Sequence, residues 1–250
     1  MLPMDISTSS SSSSFGGPTF ISLCGRSLRL SQMDFPAALD QMSLLLSLNP
    51  SSVYKTSYYR KQTKNHWARD DPAFVLLLTG LYTISNICYA VAFSLGLQGF
   101  LRLLATNLLL AGGGGLATAA ATRWYANEYL VTHRSHSVKQ NVELLYALDI
   151  HFNSSLLLFA YLHLLQFLLL PLLLTPTFLA LLASNVLYAA ATAHYWYITH
   201  LGYRALPFLK DTQHFLYPGV AAVGMAAVGV VAYPLGLSIN VARLAAMIFL

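Results

Sequence analysis

Residues 150–203 read IHFNSSLLLFAYLHLLQFLLLPLLLTPTFLALLASNVLYAAATAHYWYITHLGY, 54 positions without one Asp, Glu, Lys or Arg. A helix that crosses a bilayer takes about 20 apolar residues. The run therefore holds two crossings. Thr175-Pro176-Thr177 is where they part, because proline ends one helix and can open the next.

Shorter runs of the same kind lie on either side. Asp71 and Arg102 enclose 30 uncharged residues, Arg102 and Arg123 enclose 20, and Asp211 and Arg243 enclose 31. The spacing predicts spans near 73–95, 100–122, 152–174, 178–201 and 216–237, an all-α polytopic bundle of five transmembrane helices. Asp70-Asp71-Pro72 offers a capping carboxylate and a proline for the first span, Tyr217-Pro218 opens the fifth, and Gly96 and Gly99 bracket a short first turn. The closing stretch from Ser238 to Leu250 is too short to span and reads either as an interfacial tail or as more of the fifth helix.

Composition agrees with the runs. Charged residues make up 9% of the 250, against roughly 25% in soluble domains, while hydrophobic residues reach 56% and mean hydropathy is +0.56. A disordered chain needs the opposite balance. Cys24 lies outside the spans and Cys88 inside the first, so the two cysteines make no disulfide framework.

The basic residues orient the bundle. Arg26, Arg29, Lys55, Arg60, Lys61, Lys64 and Arg69 precede the first span; Arg123, Arg134 and Lys139 mark the second connection, and Arg204 and Lys210 the fourth. Lys and Arg collect on the cytosolic side of membranes. This places the N-terminus in the cytosol and, after five spans, the C-terminus in the lumen. Residues 1–31, with the run Ser9 to Ser14, read as a disordered Ser-rich tail. No cleavable signal is visible, so the first span serves for insertion. Residues 32–72 read as a cytosolic juxtamembrane region and 73–250 as the bundle. Within the former, Met33 to Leu48 has Asp34 as a cap, Pro36 early and apolar residues at helical spacing. It is an amphipathic helix that either lies on the membrane or packs under the bundle.

Several residue groups invite chemistry. The eight histidines include His133 and His136 as a single HxxH, but no HxxHH or HExxH, and His194 and His200 fall about 240° apart on a helix. A metalloenzyme reading would use His133, His136, His151 and His214. A channel or transporter reading would need ionisable groups deep in the spans, where only Asn86, Asn107, His163, Gln166 and Asn185 stand. Interhelical hydrogen bonding accounts for those five. Gly112 to Gly115 lack the Lys-Ser/Thr of a phosphate loop and instead permit close approach or a kink. Gly219, Ala222, Ala226 and Gly229 form a small-residue stripe for tight packing. The sequon Asn153-Ser154-Ser155 sits at the cytosolic edge of the third span and should stay unmodified.

Lys55 to Arg69 interleaves basic residues with Tyr54, Tyr58, Tyr59 and Trp67. Such a segment suits RNA through cations and stacking, or anionic lipid with Trp67 at the interface. Arg60, Lys61 and Lys64 share a helical edge, and Asp70 and Asp71 stand ready to pair with Arg69. A cytosolic partner can dock on such a surface. The candidate partner- or lipid-binding residues are Tyr59, Arg60, Lys61, Lys64, Trp67, Arg69, Asp70, Asp71, Pro207, Phe208 and Lys210.

At these residues the chain resembles a known family. Gln32-Met33-Asp34-Phe35, Tyr59 to Lys64, Trp67 to Phe74, Tyr146-Ala147 with Asp149, His151 and Asn153, Leu201-Gly202-Tyr203, Ala205 to Lys210, Thr212 and Tyr217-Pro218 are similar to the signature of the uncoordinated-fifty family of Golgi membrane proteins. The resemblance implies a five-span, non-enzymatic protein of the Golgi and the early secretory pathway, without a cofactor and with a cytosolic N-terminus. It further implies a part in vesicle trafficking and in work with exchange factors for Arf GTPases. In animals it implies delivery of membrane receptors, and RNA binding is also associated with the family.

Overall fold

The computed structural model describes residues 33–132, 140–236 and 238–249. Eight helices carry these residues: α1 (Phe35–Leu46), α2 (Lys55–Lys64), α3 (Ala73–Ala92), α4 (Gly96–Leu130), α5 (Leu144–Leu173), α6 (Phe178–Arg204), α7 (Tyr217–Val231) and α8 (Val241–Phe249). No strand occurs among them. Five stretches are long and apolar enough to cross a membrane: α3, α4, α5, α6, and α7 with its one-turn lead from Thr212. The expected tail 1–31 lies outside the described residues.

The break inside the 54-residue run falls where proline puts it. α5 ends at Leu173, and Thr177 caps α6 by accepting from the Ala180 N–H at 3.2 Å. Between α3 and α4 the chain turns in three residues, and Gly96 takes φ +66°, a conformation that costs a side chain-free residue nothing.

Span limits differ from the expected ones where a charge ends the apolar stretch without ending the helix. α4 runs on past Arg123 to Leu130, because the Arg123 guanidinium finds the Val142 carbonyl at 3.0 Å. α5 starts near Leu144 and carries Asp149 on its second turn, facing Arg69. α7 stops at Val231, earlier than expected. Pro234 and Gly236 (φ +85°) then turn the chain, so the last residues are not an extension of the fifth helix. They form α8, which docks on α5 and α6: Asn240 Nδ2 donates to the Leu173 carbonyl at 2.9 Å, and the Ala242 N–H donates to Ser184 Oγ at 2.7 Å.

Packing follows residue size. α7 lies along α6, and a Cβ at Gly219 would stand 3.1 Å from the Ala193 Cα, so the small-residue stripe is what lets the two backbones close. α1 is capped by Asp34, whose Oδ1 accepts from the Ala37 N–H at 3.0 Å. Its face of Ala38, Gln41, Met42 and Leu45 is buried on the bundle, while Leu39, Leu44, Leu46 and Leu48 stay exposed. The helix thus packs under the bundle with one side and leaves an apolar edge on the other.

Candidate functional site

The basic and aromatic segment Lys55–Arg69 and the Pro207–Lys210 loop come together at one end of the bundle, where α3, α5 and α7 begin and α4 and α6 finish. Trp67 is the pivot. It is 2% exposed, and its ring lies 6.4 Å from that of Tyr146 and 5.9 Å from that of Phe208. Its N–H donates to Glu143 Oε2 at 3.1 Å, and its carbonyl accepts from Arg60 Nε at 3.3 Å. Trp67 therefore sits under the surface, joining the segment before α3 to α5 and to the α6–α7 loop. It is not an exposed anchor.

The cationic edge also turns inward. Arg60 donates to Ser57 Oγ at 2.8 Å, and burial lowers its pKa from the ordinary arginine value. Lys61 reaches Glu143 Oε1 at 3.6 Å and stands 6.0 Å over the Trp67 ring, a cation–π arrangement. Lys64 pairs with Asp70, whose other oxygen lies 3.1 Å from His66 Nε2. Arg69 does not pair with Asp70 or Asp71 as expected. It faces Asp149 at 3.6 Å, because α5 brings that carboxylate within reach. Asp71 instead ties two helix starts together, accepting from the Asp34 N–H at 2.7 Å and from the Ala73 N–H at 3.0 Å.

Below this layer runs a buried polar seam. Asn153, fully buried, accepts from Gln41 Nε2 through Oδ1 and donates to the Tyr54 hydroxyl at 3.4 Å. Burial raises the Tyr54 pKa well above its usual value, so the hydroxyl keeps its proton for the Ile198 carbonyl. The sequon at Asn153 is thus closed off by packing. The Tyr146 hydroxyl donates to the Gly202 carbonyl at 2.8 Å, and that of Tyr203 to Thr122 Oγ1 at 2.9 Å. The Pro207–Lys210 loop is stitched to the end of α4 by Thr132 N–H to Phe208 O at 2.9 Å and Lys210 N–H to Leu130 O at 3.0 Å.

What remains open to a partner is a smaller set: Tyr59, 71% exposed, together with Lys64, Pro207 and Lys210. Gln41 and Glu143 hold the platform without having been marked in the sequence. Glu143 had a local signal, as an acidic residue one position before an apolar run; Gln41 had none. Among the described residues the histidines do not converge. His151 meets the Tyr195 hydroxyl at 2.7 Å and His214 the Tyr125 hydroxyl at 2.9 Å, on different helices. His133 and His136 lie outside the described residues. No group of three His, Cys, Asp or Glu suited to a metal occurs among the described residues.

The model of the UNC-50 family matches residues 23–248. The chain belongs to the UNC-50 family. Among its relatives is the unc-50 homolog of Dictyostelium discoideum, 44% identical over 178 residues, which are 69% of this chain and 67% of that protein. The Homo sapiens unc-50 homolog is 42% identical over 195 residues, 77% of this chain and 74% of its own. Caenorhabditis elegans unc-50 is 41% identical over 195 residues, 77% of this chain and 63% of its own. No solved structure matches. Seven of the residues that carry the resemblance in the sequence, Trp67, Asp71, Tyr146, Asp149, Asn153, Gly202 and Tyr203, take part in the contacts that lock the basic end together.

Proposed function

We propose that this UNC-50 family membrane protein is a non-enzymatic adaptor of the Golgi and adjoining ER membranes. It holds a rigid cytosolic platform on which trafficking proteins, exchange factors for Arf GTPases among them, assemble during transport of membrane cargo such as receptors. The observation that supports this reading is the platform itself. A segment of basic and aromatic residues is fixed to the start of α5 through Trp67, Glu143, Asp149 and Asn153, and leaves Tyr59, Lys64, Pro207 and Lys210 outward at one end. A lipid-binding tether would need no such fixed geometry. A preorganised surface lowers the ordering cost of binding a protein.

The test separates surface from scaffold. Lys64→Gln with Lys210→Glu and Tyr59→Ala changes exposed side chains without setting a second carboxylate beside Asp70, and should leave the protein folded and in its membrane. Recruitment of an Arf exchange factor to Golgi membranes, followed by fluorescence, should fall severalfold. Recruitment equal to wild type with normally localised protein would sink the docking surface. Lys61→Glu is a poor probe by comparison, since it sets a second carboxylate beside Glu143 and strains the scaffold.

A further inference from the structure

Four of the five polar residues expected inside the spans do not merely bond across helices; they surround one cavity of about 290 Å³. Asn86 of α3, Asn107 of α4, and His163 and Gln166 of α5 all line it. The α5 wall is a single helical face, with His151, Ser155, Leu158, Leu162 and Gln166 at steps of three and four. Tyr82, Tyr89 and Tyr188 add hydroxyl-bearing rings, and Ala245, Ala246 and Phe249 of α8 close one side.

Two features mark this space as a built site. First, both walls depart from α-helical winding there. α4 is π-helical over Leu109–Gly114 and α5 over Ala160–Leu165, and each stretch gives residues to the lining, Leu110 and Ala111 from one, Leu162 and His163 from the other. Such bulges widen a helix and recur at functional sites. Second, polar atoms are left over. Asn86 is fully buried; its Oδ1 accepts from Asn107 Nδ2, yet its own Nδ2 has no partner. Turning that amide over by itself would set two donors, Asn86 Nδ2 and Asn107 Nδ2, against each other. Gln166, 8% exposed, has an Oε1 likewise without a partner. Unpaired polar groups in a span are costly, and here one donor and one acceptor belong to residues that line the same cavity.

We infer that the cavity binds a neutral membrane lipid whose head carries a hydroxyl beside an ester or amide carbonyl, the chemistry of diacylglycerol and ceramide. The carbonyl or hydroxyl oxygen accepts from Asn86 Nδ2, and the hydroxyl or amide hydrogen goes to Gln166 Oε1. No Asp, Glu, Lys or Arg lines the site, so a phosphate or ammonium head would enter without a counter-charge. Leu103, Leu158 and Leu162 offer an apolar surface to the start of an acyl chain. The lateral position of α8, a short helix held by Asn240, Ser184 and Asn185, leaves the bilayer as the source of the ligand.

Photoactivatable diacylglycerol, ceramide, sterol and phosphatidylcholine probes, applied to the full chain in native membranes, test this. Labelling by diacylglycerol or ceramide should exceed labelling by phosphatidylcholine, and the labelled peptides should come from α3, α5 or α8. Asn86→Leu should cut labelling about tenfold through the lost hydrogen bond. Ala246→Trp puts bulk at the lining from α8, removes no side-chain hydrogen bond, and should have the same effect, with thermal stability of both variants checked in detergent. Equal labelling by all four probes, labelling by sterol alone, or labelling unchanged in a folded Ala246→Trp protein would each overturn the assignment. So would no labelling at all, the result for a cavity holding only water.

Discussion

Asn153 shows what a single buried amide does in this protein. It accepts from Gln41 of α1 and donates to Tyr54, so it fastens the segment before the first span to α5. Replacing it with leucine leaves the Gln41 amide buried without a partner. A buried group stripped of its partner costs about 1–3 kcal/mol. Asn153→Leu should therefore lower the melting temperature in detergent clearly, and Gln41→Leu should do the same. The double variant Gln41→Leu with Asn153→Leu removes both polar groups and should recover part of the loss, because two apolar groups in contact leave nothing unsatisfied. Additive losses in the cycle would show that the pair does not interact. At this scale the sequence was half legible. Asn153 was noticed as a sequon and as part of the family signature but not as a partner of α1, and Gln41 carried no signal, since a glutamine on an amphipathic helix normally faces water. The partner that buries it lies 112 residues away, and no local pattern reports so distant a contact.

At the scale of the element, α4 is the instructive helix. Four successive glycines open it at Gly112 to Gly115, and they do unequal work. A Cβ at Gly113 would meet nothing within 4 Å, whereas one at Gly115 would stand 2.2 Å from Nε2 of His151. Gly113→Ala should raise thermal stability slightly, by about 0.5–1 kcal/mol, through lower unfolded-state entropy and better helix propensity. Gly115→Ala should lower it by about 1–3 kcal/mol, because His151 would have to give up its hydrogen bonds to Tyr195 and Ser155 to move aside. Melting curves of the two variants side by side decide it; matching shifts would mean that α4 does not press on α5 there. The number of spans and the proline break between α5 and α6 were legible because bilayer thickness and missing charge both act over short windows. The ends were less so: a charge halts an apolar run, but Arg123 prolongs its helix by bonding to the Val142 carbonyl across the following loop. α8 escaped because its docking partners, Ser184 and Leu173, belong to helices far back in the chain.

For the molecule as a whole, charge and packing give the same polarity. Lys55, Arg60, Lys61, Lys64, Arg69, Arg123, Arg204 and Lys210 stand at the end where Trp67 and Glu143 lock the platform, while the opposite end has Arg102 and Arg243. Moving Lys and Arg across a bilayer is opposed, which supports the proposed cytosolic placement of the crowded end. Glycosylation acceptors inserted in the α3–α4 turn, in the α5–α6 connection and after α8 should then be modified in cells, whereas acceptors in the α4–α5 and α6–α7 connections should not. The native sequon at Asn153 adds an internal control, since its side chain is sealed by Gln41 and Tyr54 and should stay bare in either orientation. Modification of an acceptor between α4 and α5 would invert the molecule, place the platform in the lumen and remove the cytosolic docking surface with it. The lipid site would survive that outcome, because the cavity among Asn86, Asn107 and Gln166 lies within the spans and is reached from the bilayer whichever end faces the cytosol.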